Sequence, residues 1–271
     1  MGILNVTPDS FSDGGLFFEP LNALKQTEQM LIDGADILDI GGESTRPATF
    51  ADNAPLSSEE ETRRILPVIQ VLIREFPEVV ISVDTYKSIV ASAAIQEGAK
   101  MINDISALRA DPDMAETISK AGVRVCLMHL LGTPRNIPSK PVYSDVVAEV
   151  KSHLLERTQE AISAGILPDR IVIDPGFGFG KTVSHNLEIL RRLAEFSELG
   201  YPLLLGTSRK STIGTVLGGL PPEERLEGTA ATIALGIASG ASLIRVHDVL
   251  EMTRVARMTD AILRGFPAPN E

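Results

Sequence analysis

Residues 79–106 read VVISVDTYKSIVASAAIQEGAKMINDIS and hold one complete unit of the pattern that decides the fold. Residues 79–83 are a short β-branched run and read as a strand. Residues 88–97 carry a helical pattern, and the Gly of "EGAK" follows where a helix C-terminus favours a left-handed residue. Residues 101–102 then open the next strand. Strand, helix, glycine and strand together make one βα unit.

Outward from this stretch the same alternation fills the chain. Further strands are predicted at 3–5, 37–40, 123–128, 171–173, 203–205 and 243–246. Helical patterns cover 21–32, 58–76, 146–164 and 187–199, and "DGAD", "AGVR" and "SGAS" repeat the glycine signal. About eight βα units with no break in composition predict an α/β protein of the (β/α)8 TIM barrel type, one domain over residues 1–271. A doubly wound open sheet is the alternative, because connectivity is not written in the pattern.

The 271 residues fit one such barrel, and 44% apolar content supplies its core. A net charge of −11 argues against nucleic acid or an anionic membrane as partner, since both require clustered Lys and Arg. An anionic substrate must therefore be held by a local basic cluster. Cys126, the one cysteine, lies in the apolar run VRVCLM and reads as core filler; zinc spacings are absent. The start lacks the features of a signal peptide, and Val6 stands where N-myristoylation requires Ser or Thr. Residues 229–241, TAATIALGIASGA, are too few to span a bilayer and read as a buried or interface helix. The expectation is a soluble protein of the cytoplasm, or of an organelle after loss of a transit segment.

In a βα barrel, chemistry gathers where strands run into the loops that lead to helices. Here Asn5 leads into VTPDSFSDGG and the second strand into GGESTRP. The third ends at Asp84 with Lys87 beyond, the fourth at Asn103 and Asp104, and the fifth at His129. The sixth runs into DPGFGFGKT from Asp174, the seventh into Arg209, Lys210 and Ser211, and the eighth into Arg245 and His247. Loops at the other rim are short and bland. Each residue has an ordinary reading as well: Asp and Asn as helix N-caps, Gly14-Gly15 as a turn, Lys87 as a surface lysine at a helix start. His153 and His185 read as solvated surface, and His129 stands open between a packed strand end and a site wall. Polar residues at nearly every strand end are what those ordinary readings leave unexplained.

"GFGFGKT", residues 176–182, is not a phosphate loop, because Pro175 stands where the first glycine belongs. Lys181 likewise occupies the last glycine position of a dinucleotide fingerprint. Nucleotide hydrolysis and NAD-dependent chemistry lose their support.

The strings NVTPDSFSDGG, GGESTRP, SVDTYK, IND, MH, DPGFGFGKT, SRKS and RVHDV occur in this order over nearly the whole chain. Together they resemble the dihydropteroate synthases of folate biosynthesis, the family that sulfonamides target. The resemblance implies condensation of 6-hydroxymethyl-7,8-dihydropterin diphosphate with p-aminobenzoate to 7,8-dihydropteroate and diphosphate, with Mg²⁺. It implies a dissociative substitution at the pterin methylene carbon and a homodimer through the last helices. By resemblance, Asp84, Asn103, Asp174 and Lys210 bind the pterin, and Asn5, Thr45, Arg46, Arg245 and His247 bind diphosphate. Asn5 takes the metal, and Phe11, Thr45, Pro47, Phe179 and Ser211 line the p-aminobenzoate pocket. Catalytic work falls to Asp13, Arg46, Asp84, Lys210, Arg245 and His247, with the first and second loops closing over the reaction.

The residue types suit this chemistry. One carboxylate accepts both neighbouring N–H donors of a pterin edge, and charge-assisted bonds of this kind are strong. A diphosphate leaving group needs donors where its charge develops. A carbonyl oxygen suits Mg²⁺. A dissociative route needs no nucleophilic side chain, in keeping with the lack of a Ser–His–Asp pattern. There are departures: the chain opens directly on its first strand, Ala48 replaces the common Gly after "STRP", and Thr212 stands where an aromatic often follows "RKS". A pterin-dependent methyltransferase barrel would share the IND and DPG strand ends, but it has no use for the RVH anion site. A non-catalytic pterin-binding paralogue would be expected to lose Arg245, Arg46 or the Asp13 loop.

Overall fold

The computed structural model describes residues 1–6, 19–43 and 56–265. Its apolar runs form eight strands: β1 (Gly2–Asn5), β2 (Ile37–Gly41), β3 (Val80–Asp84), β4 (Met101–Asp104), β5 (Arg124–Met128), β6 (Ile171–Asp174), β7 (Leu203–Leu205) and β8 (Ala241–Ile244). All are parallel and each pairs with its sequence neighbour. A parallel bridge between Gly2 and Val246 joins the two ends, with Ile3 N–H donating to the Val246 carbonyl at 3.0 Å. The result is a TIM-like α/β fold. An open doubly wound order, with strands out of sequence, is not what forms.

Between the strands run α1 (Glu19–Ile32), α2 (Ser58–Glu75), α3 (Ser88–Gln96), α4 (Met114–Ala121), α5 (Val146–Ser163), α6 (Val183–Arg191), α7 (Ser211–Val216), α8 (Leu226–Ala238) and α9 (Val249–Arg264). Local sequence starts them: Ser57 accepts the Glu60 N–H ahead of α2, and Asp145 accepts those of Val147 and Ala148 ahead of α5. The expected glycines Gly34, Gly98, Gly122 and Gly240 all adopt positive φ beyond helix ends.

Two boundaries differ from expectation. The helix expected over 187–199 starts earlier, because Thr182 and His185 form a capping box, and it breaks at Arg192. A 3-10 segment, Leu193–Leu199, continues from there. The eighth strand ends at Ile244, and Val246 turns to bridge β1 instead.

The main core lies between sheet and helices, whereas a smaller cluster of Met1, Met101, Cys126, Val172 and Leu204 is shared among strands. Cys126 is fully buried there, as expected of core filler, and burial pushes its thiol pKa upward. Register pairs Asn5 with Gly41, Asp84 with Asn103 and Met128 with Asp174, so the polar strand ends stand at one rim.

Candidate active site

Four strands supply a charged ring at that rim. Arg245, just beyond β8, donates from Nε to Asp39 Oδ2 at 2.6 Å and from Nη2 to Asp84 Oδ2 at 2.9 Å. Asn103 Nδ2 donates to the same Asp39 oxygen at 3.0 Å. The strands β2, β3, β4 and β8 are thereby tied through one guanidinium whose planar fork matches two carboxylates. Asp39 Oδ1 and Asp84 Oδ1 are buried and accept no hydrogen bond among the described residues. Burial raises the Asp84 pKa to about 7; the neighbouring Arg245 opposes that rise and Asp39 adds to it. A buried carboxylate with an unused oxygen suits a ligand that brings N–H donors.

The sixth strand end is built differently. Asp174 Oδ1 accepts the Gly176 N–H at 2.7 Å, and burial raises its carboxyl pKa. Gly176 has φ +68, and a Cβ there would stand 1.9 Å from the His129 carbonyl oxygen, so no other residue fits. Lys181 Nζ donates to the carbonyls of Gly176 at 2.9 Å and Phe179 at 3.0 Å, and lies 2.9 Å from His129 Nδ1. Burial lowers the Lys181 pKa to about 7. This lysine shapes its own loop, which agrees with the failure of the phosphate-loop motif. Lys210 lies over the opposite side of the loop, its Nζ 4.2 Å from the Phe179 ring centroid.

At the eighth strand end, the Ser208 hydroxyl accepts the His247 N–H at 3.1 Å and lies 3.0 Å from His247 Nδ1. A hydroxyl that accepts from the backbone still has its own proton to give to Nδ1. With the hydroxyl proton given to Nδ1, a neutral ring carries its own proton on Nε2.

Asn5, Asp84, Asn103, Asp174, Phe179, Lys210, Arg245 and His247 thus fall on this rim's strand ends and loops, and Ser211 opens α7. Phe11, Asp13, Thr45, Arg46 and Pro47 lie outside the described residues. Arg245 differs from expectation in detail, because two of its donors are engaged by carboxylates. Two ordinary readings also need correction, those of Lys87 and His153. Lys87 is not a surface lysine: its Nζ bonds to Glu43 at 2.7 Å, to Glu61, and to the Leu56 carbonyl at 2.8 Å. His153 is not solvated surface, for it packs edge-on at 4.9 Å from the His129 ring, its Nε2 buried, and burial lowers its pKa to about 4. His185 belongs to the capping box and stacks edge-on against Tyr143 at 5.0 Å. His129 proves to be a packed strand end, kept neutral by burial and by Lys181.

The sequence reading missed Asp39, Lys181, Ser208 and Asn186. Asp39 sits one residue before the end of an apolar run, where alternation alone marks an inward position. Asn186 carried no signal at all.

A family model described as pterin binding enzyme matches residues 1–247. Dihydropteroate synthase of Bacillus subtilis is 48% identical over 263 residues, covering 97% of this chain and 88% of that protein. The Escherichia coli K12 enzyme of the same name is 46% identical, covering 97% and 91%. A Clostridium difficile dihydropteroate synthase, solved in the presence of pteroic acid, superposes with a TM-score of 0.90 at 48% identity, covering 97% and 95%. A Xanthomonas albilineans dihydropteroate synthase solved with 4-aminobenzoic acid gives 0.89 at 44% identity, covering 97% and 92%. Sequence and fold agree across these comparisons, and the chain belongs to the dihydropteroate synthase family of pterin binding enzymes.

Proposed function

We propose that this rim joins 6-hydroxymethyl-7,8-dihydropterin diphosphate to p-aminobenzoate, giving 7,8-dihydropteroate and diphosphate in folate biosynthesis. The observation that carries the reading is the ring of Asp39, Asp84, Asn103 and Arg245, with two buried carboxylate oxygens that accept nothing among the described residues. Asp84, Asn103 and Asp174 take the pterin's donors, and Lys210 faces its carbonyl side. Asp174 already gives one oxygen to Gly176, so its second oxygen is the one for the ligand. The diphosphate meets Arg245 through Nη1 and His247 through Nε2, together with Thr45 and Arg46. Phe179 and Ser211, with Phe11, Thr45 and Pro47, receive p-aminobenzoate, and Asp13 belongs to the same assembly.

The methylene C–O bond breaks first, its electron pair leaving with diphosphate. The pterin ring spreads the resulting positive charge, and the aryl amine forms the new C–N bond and loses one proton. No side chain acts as nucleophile. Mg²⁺ fits the donors present: Asn5 ends β1 beside Gly41, and no trio of His, Cys, Asp or Glu that would build a protein cage exists among the described residues. A single amide oxygen suits an ion that takes its other ligands from phosphate and water. When bound, Mg²⁺ would neutralise charge on the leaving diphosphate.

We take residues 1–271 as one catalytic domain acting in the cytoplasm; no helix among the described residues is long and apolar enough to cross a membrane. A homodimer through α8 and α9 is supported by the exposed Leu235, Met258 and Ile262 on these packed helices. Light scattering should give twice 29.1 kDa.

Diphosphate release from the pterin substrate, measured with and without p-aminobenzoate, tests the activity. Release that yields dihydropteroate when p-aminobenzoate is present is the expected outcome. Tight pterin binding with no release would make the protein a binder instead.

A further inference from the structure

We infer that Asn186 and Thr212 are positioning residues for the wall that receives p-aminobenzoate, an inference that rests on the reading of Phe179 and Ser211 above. Asn186 on α6 and Thr212 on α7 are both buried. Asn186 Oδ1 accepts the Gly178 N–H at 2.8 Å, and its Nδ2 donates to Thr212 Oγ1 at 2.9 Å. The polarity follows from the backbone: an N–H only donates, so the amide oxygen must face Gly178 and the amide NH₂ must face Thr212. Thr212 is then required to accept.

Each end of this bridge sits next to a pocket residue. Gly178 precedes Phe179, and Thr212 follows Ser211. Lys210 closes the circuit: its Cδ lies 3.4 Å from where a Gly178 Cβ would stand, and its Nζ lies over the Phe179 ring. One amide thus sets the distance between the loop after β6 and the first turn of α7. The hydroxyl that completes it is the departure from the family pattern at "RKS", where an aromatic would offer Asn186 no acceptor. Asp84, Asn103 and Asp174 make no hydrogen bond to Asn186 or Thr212.

Thr212→Val keeps the side-chain volume and removes the acceptor, leaving a buried NH₂ without a partner. The expected result is a rise of about tenfold in KM for p-aminobenzoate. The dissociation constant for the pterin diphosphate, measured by calorimetry without p-aminobenzoate, should change less than about threefold. Thr212→Ser, which keeps the hydroxyl, should restore a KM within about twofold of wild type. Thr212→Ala removes the hydroxyl without bulk that presses on Asn186, and it must reproduce the rise. Thermal melts identify any variant that fails to fold.

Phe179→Ala separates the two readings. If it raises the p-aminobenzoate KM while Thr212→Val and Thr212→Ala leave it at wild type, the positioning role is overturned and the pocket stands. If Phe179→Ala has no effect, the pocket wall is wrongly drawn and the inference falls with it. Equal weakening of both substrates by Thr212→Val would show a general loosening of the rim and would also overturn it.

Discussion

Arg245 and Lys181 both turn a positive charge inward at the same rim, yet the first faces carboxylates and the second faces carbonyls. Around Arg245 one guanidinium serves two carboxylates, each of which still has a buried oxygen with acceptor capacity. Around Lys181 each partner belongs to the loop of residues 176–181 or to His129 beside it. Carboxylates can trade one donor for another when a ligand arrives. Backbone carbonyls cannot leave without the loop changing shape. The difference separates a cation that serves recognition from one that serves architecture, although both occupy the position where a sequence reader looks for chemistry.

The same substitution at both sites tests that division most severely. Arg245→Met should weaken pterin diphosphate binding at least about a hundred-fold and cost about 3–5 kcal/mol at neutral pH, because it strands two buried carboxylates. Acidification should return part of that stability, since Asp84 can take up a proton. Lys181→Met should cost about 1–3 kcal/mol through unsatisfied carbonyls and should leave pterin affinity within about threefold. Calorimetry and melts at pH 5 and pH 8 measure both. If the two variants behave alike, the division does not exist.

A narrower test concerns Asp174. Gly176 holds one carboxylate oxygen, so Asp174→Asn must keep its carbonyl there and present its NH₂ to the ligand. A donor would then meet a donor, and pterin affinity should fall about a hundred-fold with little change in the unliganded melting temperature. Asn can accept the same bond from Gly176, so survival of binding would reduce Asp174 to a residue that shapes the loop after β6.

The smallest effect is a pair of opposed pH slopes. Folded Asp84 keeps its proton up to about 7, whereas the unfolded chain loses it near 3.8. Unliganded stability should therefore fall as pH rises through that window, and Asp84→Asn should flatten the fall. Lys181 has the opposite sign: the folded state releases its proton near 7 and the unfolded chain holds one to about 10.5. Stability should rise across that range in wild type and not in Lys181→Met. Melting temperatures between pH 4 and pH 10 check both slopes.

The fold was legible because its signals are local. Strand cores such as Ile171–Asp174, the glycines after helices and the polar strand ends all declare themselves within a few residues. The site was legible at those same ends, from Asn5 round to His247. What stayed hidden was pairing across the molecule. Nothing beside Lys87 in sequence announces Glu43, 44 residues away, so a buried ion pair passed for a surface lysine. His153 was misjudged for the same reason, because charged neighbours on its own helix say nothing about the His129 ring packed against it. Asp39 sits in an apolar strand and is explained by Arg245 and Asn103, both far from it in sequence.

The bond between Asp39 and Arg245 spans 206 residues of chain, and that between Asp84 and Arg245 spans 161. A growing polypeptide therefore carries its two acidic ends of the ring long before the cation that joins them leaves the ribosome. Chains halted at residue 244 hold all eight strands but lack the guanidinium that pairs with the two carboxylates. Such fragments should neither close nor recognise a pterin. Arrival of residues 245 and 246, closure between Gly2 and Val246, and competence to bind thus coincide, and a fragment that stops short of them should not withdraw substrate from longer chains.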